Sequence, residues 1–399
     1  MTTPLLDDAH SMSGQIADLR QAIHREPEIG LDLPKTQAKV LEALSGLPLE
    51  VSTGQALTSV TAVLRGGRPG PTILLRGDMD ALPVSEHTGL PFASVVPEAM
   101  HACGHDLHTA MLVGAARLLS ARREDLPGDV IFMFQPGEEM GGGAKFMIEE
   151  GVLDAAGERP VAAFALHVAS GLLPFGLVAS RSGTALAAAD TLHVTVHGRG
   201  GHGSQPHRAA DPIVVACEIV TALQTMVTRR FDVFDPVVLT VGTFHAGAAD
   251  NVIPDDATFG ATFRTFSAAA RDLARDASRQ LVQQIAAAHG LTASAEIGDG
   301  YPVTVNDDAE FTFARQTAGE LFGEQRFITA PNPLTGSEDF SFVLEQVPGA
   351  FLMVGACPPG TDPNTAAFNH SAEAVFDDAI LADGTALYAE LALRRLAAC

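Results

Sequence analysis

Thr72-Ile-Leu-Leu-Arg76-Gly77-Asp78-Met79-Asp80 reads as a short apolar strand, bounded by Pro71 and Gly77, that runs straight into two carboxylates. An apolar run without polar alternation is the pattern of a strand covered on both faces. The arrangement recurs twice downstream. Val130-Ile-Phe-Met-Phe134 leads into Gln135-Pro136-Gly137-Glu138-Glu139, and Val161-Ala-Ala-Phe-Ala-Leu166 leads into His167. Between the first two, apolar positions Met111, Ala115 and Leu118 or Leu119 predict a helix from about Leu107 to Arg123, and an earlier one is expected over Ser13–Arg25. Apolar strands alternating with helices predict an α/β domain whose largely parallel sheet is covered by helices. Ligands bind such sheets beyond the carboxyl ends of the strands. Three strand ends bearing Asp, Glu and His therefore point to one crevice.

The pattern changes near residue 187. Thr191-Leu-His-Val-Thr-Val-His197 alternates strictly, with Leu192, Val194 and Val196 on one face, so this strand is buried on one side only. A helix follows with Asp211 as cap and Pro212 in its first position, its stripe formed by Ile213, Ala216/Cys217, Val220, Leu223 and Val227. Strands over Val237–Phe244, Ala257–Thr265 and Ala293–Ile297, with a second helix from about Ser267 to His289 closed by Gly290, complete a strand-helix-strand-strand-helix-strand unit. The expected organisation is a first domain formed by residues 1–186 and 301–399, interrupted by a second over 187–300.

The 399 residues leave room for about two or three domains. With 46% hydrophobic and 18% charged residues the composition is that of a globular chain. Subtracting 48 acidic from 25 basic residues gives −23, which disfavours phosphate backbones and anionic membrane surfaces as partners. The start, Met1-Thr-Thr-Pro-Leu-Leu-Asp-Asp8, lacks the basic and apolar regions of a secretory signal, and no run of 18 apolar residues suggests a membrane span. The four cysteines, Cys103, Cys217, Cys357 and Cys399, form no C-x-x-C pair, so a reducing cytoplasm is the expected location.

A fourth polar cluster precedes the Leu107 helix: His101-Ala-Cys103-Gly-His105-Asp106-Leu-His108. One thiol, three imidazoles and a carboxyl within eight residues suit a transition ion such as Zn, Mn, Co or Ni rather than Mg or Ca. Glu138-Glu139 follows a Pro-Gly turn, and two adjacent carboxylates there can divide metal binding from general-base work. Asp78, beside Asp80, and Glu338 are secondary candidates. Cys217 falls on an apolar helix stripe and reads as core, His24 as structural. Gly198-Arg-Gly200-Gly-His-Gly203 formally matches G-x-G-x-x-G, but the preceding strand alternates and no helix opens on the last glycine, so it reads as a flexible loop presenting His202 rather than a dinucleotide site.

Arg76-Gly-Asp-Met-Asp-Ala-Leu-Pro83, His101-Ala-Cys-Gly-His-Asp106, Gln135-Pro-Gly-Glu-Glu139, Gly200-Gly-His-Gly-Ser-Gln-Pro-His207, Asn251-Val-Ile-Pro254 and Gly336-Ser-Glu-Asp-Phe340 together resemble the aminoacylase/carboxypeptidase family of metallo-amidohydrolases. The branch they are most similar to is that of hippurate hydrolase, auxin-conjugate hydrolase and N-acetyldiaminopimelate deacetylase. The resemblance spans nearly the whole chain, with the motifs in order. It implies a zinc-peptidase-like mixed sheet, an inserted ferredoxin-like α+β lid that dimerises, and two divalent transition-metal ions per subunit. It makes Cys103, His105, Glu139, His167 and His370 the metal ligands, Glu138 the general base, and Asp80 the acid that orients a ligand. In the lid it assigns His202 to the partner subunit's active site, and Asn251 and Arg264 to the substrate's carbonyl or carboxylate. Two departures stand out. Gly77 occupies a position where the family more often has Ala, a change expected to matter little, and Phe368-Asn-His-Ser371 carries Asn where the branch often has Leu. The implied activity is hydrolysis of an N-acyl amino acid. A dipeptidase or carboxypeptidase with the same machinery, and a non-catalytic metal-binding scaffold, are the alternatives. A pure binding site has no use for a base such as Glu138 beside its ligands.

Overall fold

The computed structural model describes residues 4–398, so Cys399 lies outside the described residues. The chain divides into two units: Met1–Ala185 with Val305–Asn332 and Asp339–Cys399, and Leu186–Thr304 with Pro333–Glu338. The second unit thus extends past the expected limit at residue 300. It also recruits a short later segment, because Leu334 pairs in parallel with Leu186 and accepts a hydrogen bond from Ala187 N at 3.0 Å.

The first unit is built on an eight-stranded sheet in the order Leu49–Thr53, Val60–Leu64, Pro127–Gln135, Arg68–Asp78, Ala162–Ala169, Gly349–Gly355, Val178–Ser180 and Phe327–Thr329. Its centre is parallel: Arg68–Asp78 pairs with both Pro127–Gln135 and Ala162–Ala169, which in turn pairs with Gly349–Gly355. The pairings of Leu49–Thr53 with Val60–Leu64, and of that strand with Pro127–Gln135, are antiparallel, so the sheet is mixed. Residues Thr72–Asp78 are all buried, as befits a central strand covered on both sides. The Ala162–Ala169 strand does not stop at Leu166. Its ladder with Gly349–Gly355 carries it through His167 to Ala169, so His167 projects from a strand rather than from the loop beyond one.

The helix after the Cys/His cluster runs His105–Ser120, starting earlier and ending sooner than its apolar stripe suggests. Every residue in it except Arg117 is buried, so it has no single apolar face. It packs between the sheet, the Ser13–Arg25 helix and the Ile380–Ala397 helix, which is buried throughout Ile380–Ala392. Gly104 precedes it with φ +86, and a Cβ there would lie 2.3 Å from Val168 Cγ2. Only glycine takes this left-handed turn against the neighbouring strand without displacement.

The second unit has a four-stranded antiparallel sheet in the order Val237–Ala246, Asp256–Thr265, Ala188–His197 and Thr292–Gly298, the βαββαβ order of a ferredoxin-like fold. Helices Pro212–Arg230 and Ala268–Ala288 bury Val215, Ile219, Leu223, Ala274 and Val282 in its core. Asp211 caps the first, accepting from Ile213 N at 2.9 Å. This helix is long and apolar enough to cross a membrane by length and composition, although it contains no unbroken run of 18 apolar residues. Its alternate face carries Glu218, Thr221, Gln224 and Thr225, and its inward face belongs to the unit's core.

Candidate metal centre and active site

The polar strand ends of the first unit converge with the loop before His105. Potential ligand atoms of Cys103, His105 and His167 lie within 4.8 Å of one another, and so do those of Cys103, Glu139 and His370. Two triads therefore share one sulfur. His105 with Glu138 and Glu139 forms a further group within the same limit. The residues named as ligands from the sequence are thus brought together, with Glu138 beside them.

Hydrogen bonds decide which nitrogens can face a cation. His167 Nδ1 lies 2.9 Å from the Val168 carbonyl oxygen, which can only accept, so Nδ1 carries the proton. Nε2 then offers its lone pair, 3.4 Å from Cys103 Sγ. His108 is excluded by the same reasoning. Its Nε2 accepts from Val168 N at 2.8 Å and its Nδ1 donates to Asp78 Oδ1 at 2.5 Å, leaving no lone pair. Asp78, a secondary candidate from the sequence, is likewise taken. It lies in the strand ladder opposite Gln135 and pairs with Arg76 Nη1 at 2.6 Å.

Asp80 supports the acidic turn directly. Its two oxygens accept from Glu138 N at 2.9 Å and Glu139 N at 3.0 Å, and Oδ1 lies 3.4 Å from His105 Nδ1. Gly137, with φ +72, makes the sharp turn that aims both glutamates. Gly77 is not the neutral departure expected. A Cβ there would sit 2.9 Å from the His108 carbonyl oxygen, so this chain seats its ligand-bearing helix closer than alanine permits.

Burial and charge set the protonation states. Burial raises the Asp78 carboxyl, but Arg76, His105 and His108 outweigh it and hold it well below the usual range. Burial lowers His105, but Asp78, Cys103 and Asp80 raise it well above. Burial, with the Glu139 charge, pushes the Cys103 thiol up to about 12, while burial and His108 keep His167 neutral. Burial also raises Glu139, yet His370 and His105 bring its carboxyl below the ordinary value. Both nitrogens of His105 are buried without a hydrogen-bond partner among the described residues. An unpartnered buried imidazole, which can give up its proton to bind a cation, beside a thiol that ionises only next to one is a donor set fitted to transition metals.

Beneath the site lies a network that sequence reading missed. Arg76 is fully buried, bonded to Asp78, to Gln135 Oε1 at 2.9 Å and to Asp339 Oδ1 at 3.0 Å. Its position as the last residue of an apolar run gave no signal beyond its charge. His24 is structural, as expected, with Nδ1 2.7 Å from Asp106 Oδ2, which also pairs with Arg20 Nε at 2.7 Å.

His202, Asn251, Arg264 and Glu338 belong to the second unit. The glycine-rich segment there is hydrogen-bonded on both sides rather than loose. Gly201–His202 pairs with Val252–Ile253, and Gly203 N donates to Asn251 O at 2.8 Å, which places Asn251 beside His202. The side chain of His202 is exposed. Its Nδ1 accepts from Ser204 N at 3.1 Å, which leaves Nε2 as the N–H donor. Arg264 donates to Ser337 Oγ at 3.1 Å and lines a cleft of about 230 Å³ with Asp190, Thr262 and Tyr301. Cys217 is exposed rather than core; the stripe of its helix is carried by its neighbour Ala216 instead.

The sequence profile of Peptidase family M20/M25/M40 matches residues 74–394. The chain is 37% identical over 394 residues to Thermostable carboxypeptidase 1 of Saccharolobus solfataricus, covering 98% of each. It is 37% identical over 382 residues to IAA-amino acid hydrolase ILR1-like 4 of Arabidopsis thaliana, covering 95% of this chain and 85% of the other. A crystal structure of the Bacillus subtilis YXEP protein, described as a dinuclear metal binding peptidase from the M20 family, superposes with a TM-score of 0.84 at 32% identity, covering 98% of this chain and 100% of that one. The chain belongs to the M20 peptidase family, a family that includes hydrolases of amide bonds.

Proposed function

We propose that this chain is a two-metal amidohydrolase that cleaves N-acyl amino acids to a carboxylic acid and a free amino acid. The observation that carries the reading is the pair of triads sharing Cys103 with Glu138 beside them. Cys103, His105 and His167 would hold one ion, and Cys103, Glu139 and His370 the other. Bound divalent cations supply Lewis acidity toward a carbonyl oxygen and toward water. Glu138, buried and held by Asp80 through its backbone, takes the proton of the attacking water and returns it to the leaving amine. His202, with Nε2–H free, donates to the developing oxyanion, and Asn251 and Arg264 hold the substrate's carbonyl and carboxylate. A cytoplasmic location belongs to the same proposal.

The test is release of free amine from hippurate and a set of N-acetyl amino acids by stripped protein given Zn, Mn, Co or Ni separately. Turnover of these substrates with one or more ions supports the reading. Turnover of dipeptides alone would favour the peptidase alternative, to which the carboxypeptidase relative lends weight. No turnover of either with two ions bound would leave the scaffold reading.

We also propose that the working form is a homodimer joined through the second unit. Val237–Ala246 is an edge strand with one neighbour, and it exposes Val238 and Phe244, with Val233 and Phe234 at 81% and 93% exposure just before it. Unpaired edges with apolar side chains favour pairing with another strand. Mixing His202→Ala with Glu138→Ala subunits should restore about one quarter of wild-type activity, because half of exchanged dimers are mixed and each holds one complete site. No recovery despite proven subunit exchange would show that His202 does not serve its partner.

A further inference from the structure

We infer that Asn369 is a positioning residue that locks the two halves of the metal centre together and tunes the shared sulfur. The inference rests on the proposal that Cys103 and His370 are ligands.

The carboxamide of Asn369 ties its own segment to two others at once. Nδ2 donates to the Cys103 carbonyl oxygen at 3.1 Å and to the Val168 carbonyl oxygen at 2.9 Å, and lies 3.8 Å from Cys103 Sγ. Oδ1 accepts from Ser170 N at 3.0 Å and from Ser170 Oγ at 3.1 Å. This orientation of the amide is forced. Ser170 N can only donate and the two carbonyl oxygens can only accept, so a flipped amide would meet like with like on both sides.

With the segment of Asn369 itself, these two make three of the four that carry ligands, the turn of Glu139 being the fourth. Cys103 supplies the shared sulfur, Val168 adjoins His167, and Asn369 adjoins His370. His370 itself has φ +73, a left-handed backbone that is uncommon outside glycine, and its amide donates to Ala102 O at 2.8 Å. Its Nε2 lies 3.1 Å from Glu139 Oε1 although the residue is otherwise half exposed. An exposed histidine held in an uncommon backbone conformation depends on restraints for its placement, and the side chain of Asn369 adds one to the bond from its own amide. One Nδ2 hydrogen is shared between a carbonyl oxygen and Cys103 Sγ, 3.8 Å from the nitrogen, and this gives the same residue a second effect. An N–H directed at a sulfur withdraws density from its lone pairs, and so sets how strongly the thiolate donates to the ions on either side.

The test uses the full-length protein with cobalt as the reporter ion. Asn369→Leu removes both donors at similar volume. We expect the ion shared by Cys103, Glu139 and His370 to weaken about 10–100-fold in competition with a chromogenic chelator. The other ion should remain. The sulfur-to-cobalt charge-transfer band should move to longer wavelength, because the sulfur lone pairs rise in energy when the donor is lost. Ser170→Ala, which leaves both Nδ2 donations and the Ser170 N contact in place, should keep both ions and the band. If Asn369→Leu fails to fold, Asn369→Ser carries the same two measurements. Wild-type affinity for both ions with an unmoved band overturns the inference, and so does equal loss in Ser170→Ala, which would reduce Asn369 to loop packing. Failure of the underlying assignment is separate: wild-type protein would then bind fewer than two ions, or Cys103→Ala would leave the band intact.

Discussion

Glu138→Gln should keep the fold and both metal ions yet lose turnover by roughly 10²–10⁴-fold, the usual contribution of a positioned general base. The substitution is nearly isosteric, and the contact from Glu138 N to Asp80 Oδ1 at 2.9 Å involves the backbone, so the turn survives. What is lost is the capacity to accept a proton. Glu139→Gln should behave differently. Its Oε1 faces His370 Nε2 at 3.1 Å and shares a triad with Cys103, so metal content should fall before the chemical step is touched. Turnover with saturating metal and elemental analysis on both variants separate the roles. Near-wild-type turnover in Glu138→Gln would remove it as the base.

Arg76→Met should be the most destabilising single substitution in the first unit, at about 3–5 kcal/mol, the range for breaking a buried ion pair from one side. Arg76 is 0% exposed and lies between Asp78 at 2.6 Å and Asp339 at 3.0 Å. Without it two buried carboxylates face each other across an apolar side chain, and Gln135 loses a donor. The comparison is Arg123→Met, whose partner Glu124 is exposed, where the loss should stay below about 1 kcal/mol. Denaturant midpoints for the two variants give the contrast. A loss below about 1 kcal/mol for Arg76→Met would mean that the carboxylates are satisfied without it.

The central strands and the polar clusters at their ends were legible because both signals are local. Thr72–Arg76 and Val130–Phe134 are apolar throughout, and the ligand types cluster within a few residues of each strand end. What was missed depends on partners distant in the chain. Leu49–Thr53, a mostly exposed edge strand, has no apolar run and exists because Val60–Leu64 pairs with it. The His105–Ser120 helix was misjudged in extent because it is buried all round, which erases the stripe that marks ends. Arg76 and Asn369 were quoted within motifs, but their work is done across 263 and 266 residues of sequence, which no spacing rule reaches.

That long reach has a consequence for how the protein is made. The shared sulfur is encoded early and His370 late, with the whole second unit translated between them. On the ribosome the central strands are synthesised long before Gly349–Gly355 and Ile380–Ala397 exist to cover them. Their open edge and bare apolar face must wait, exposed to misassociation, until the last tenth of the chain emerges. Until Asn369 and His370 dock only the group formed by Cys103, His105 and His167 can assemble, so the order of synthesis separates completion of the two halves of the site.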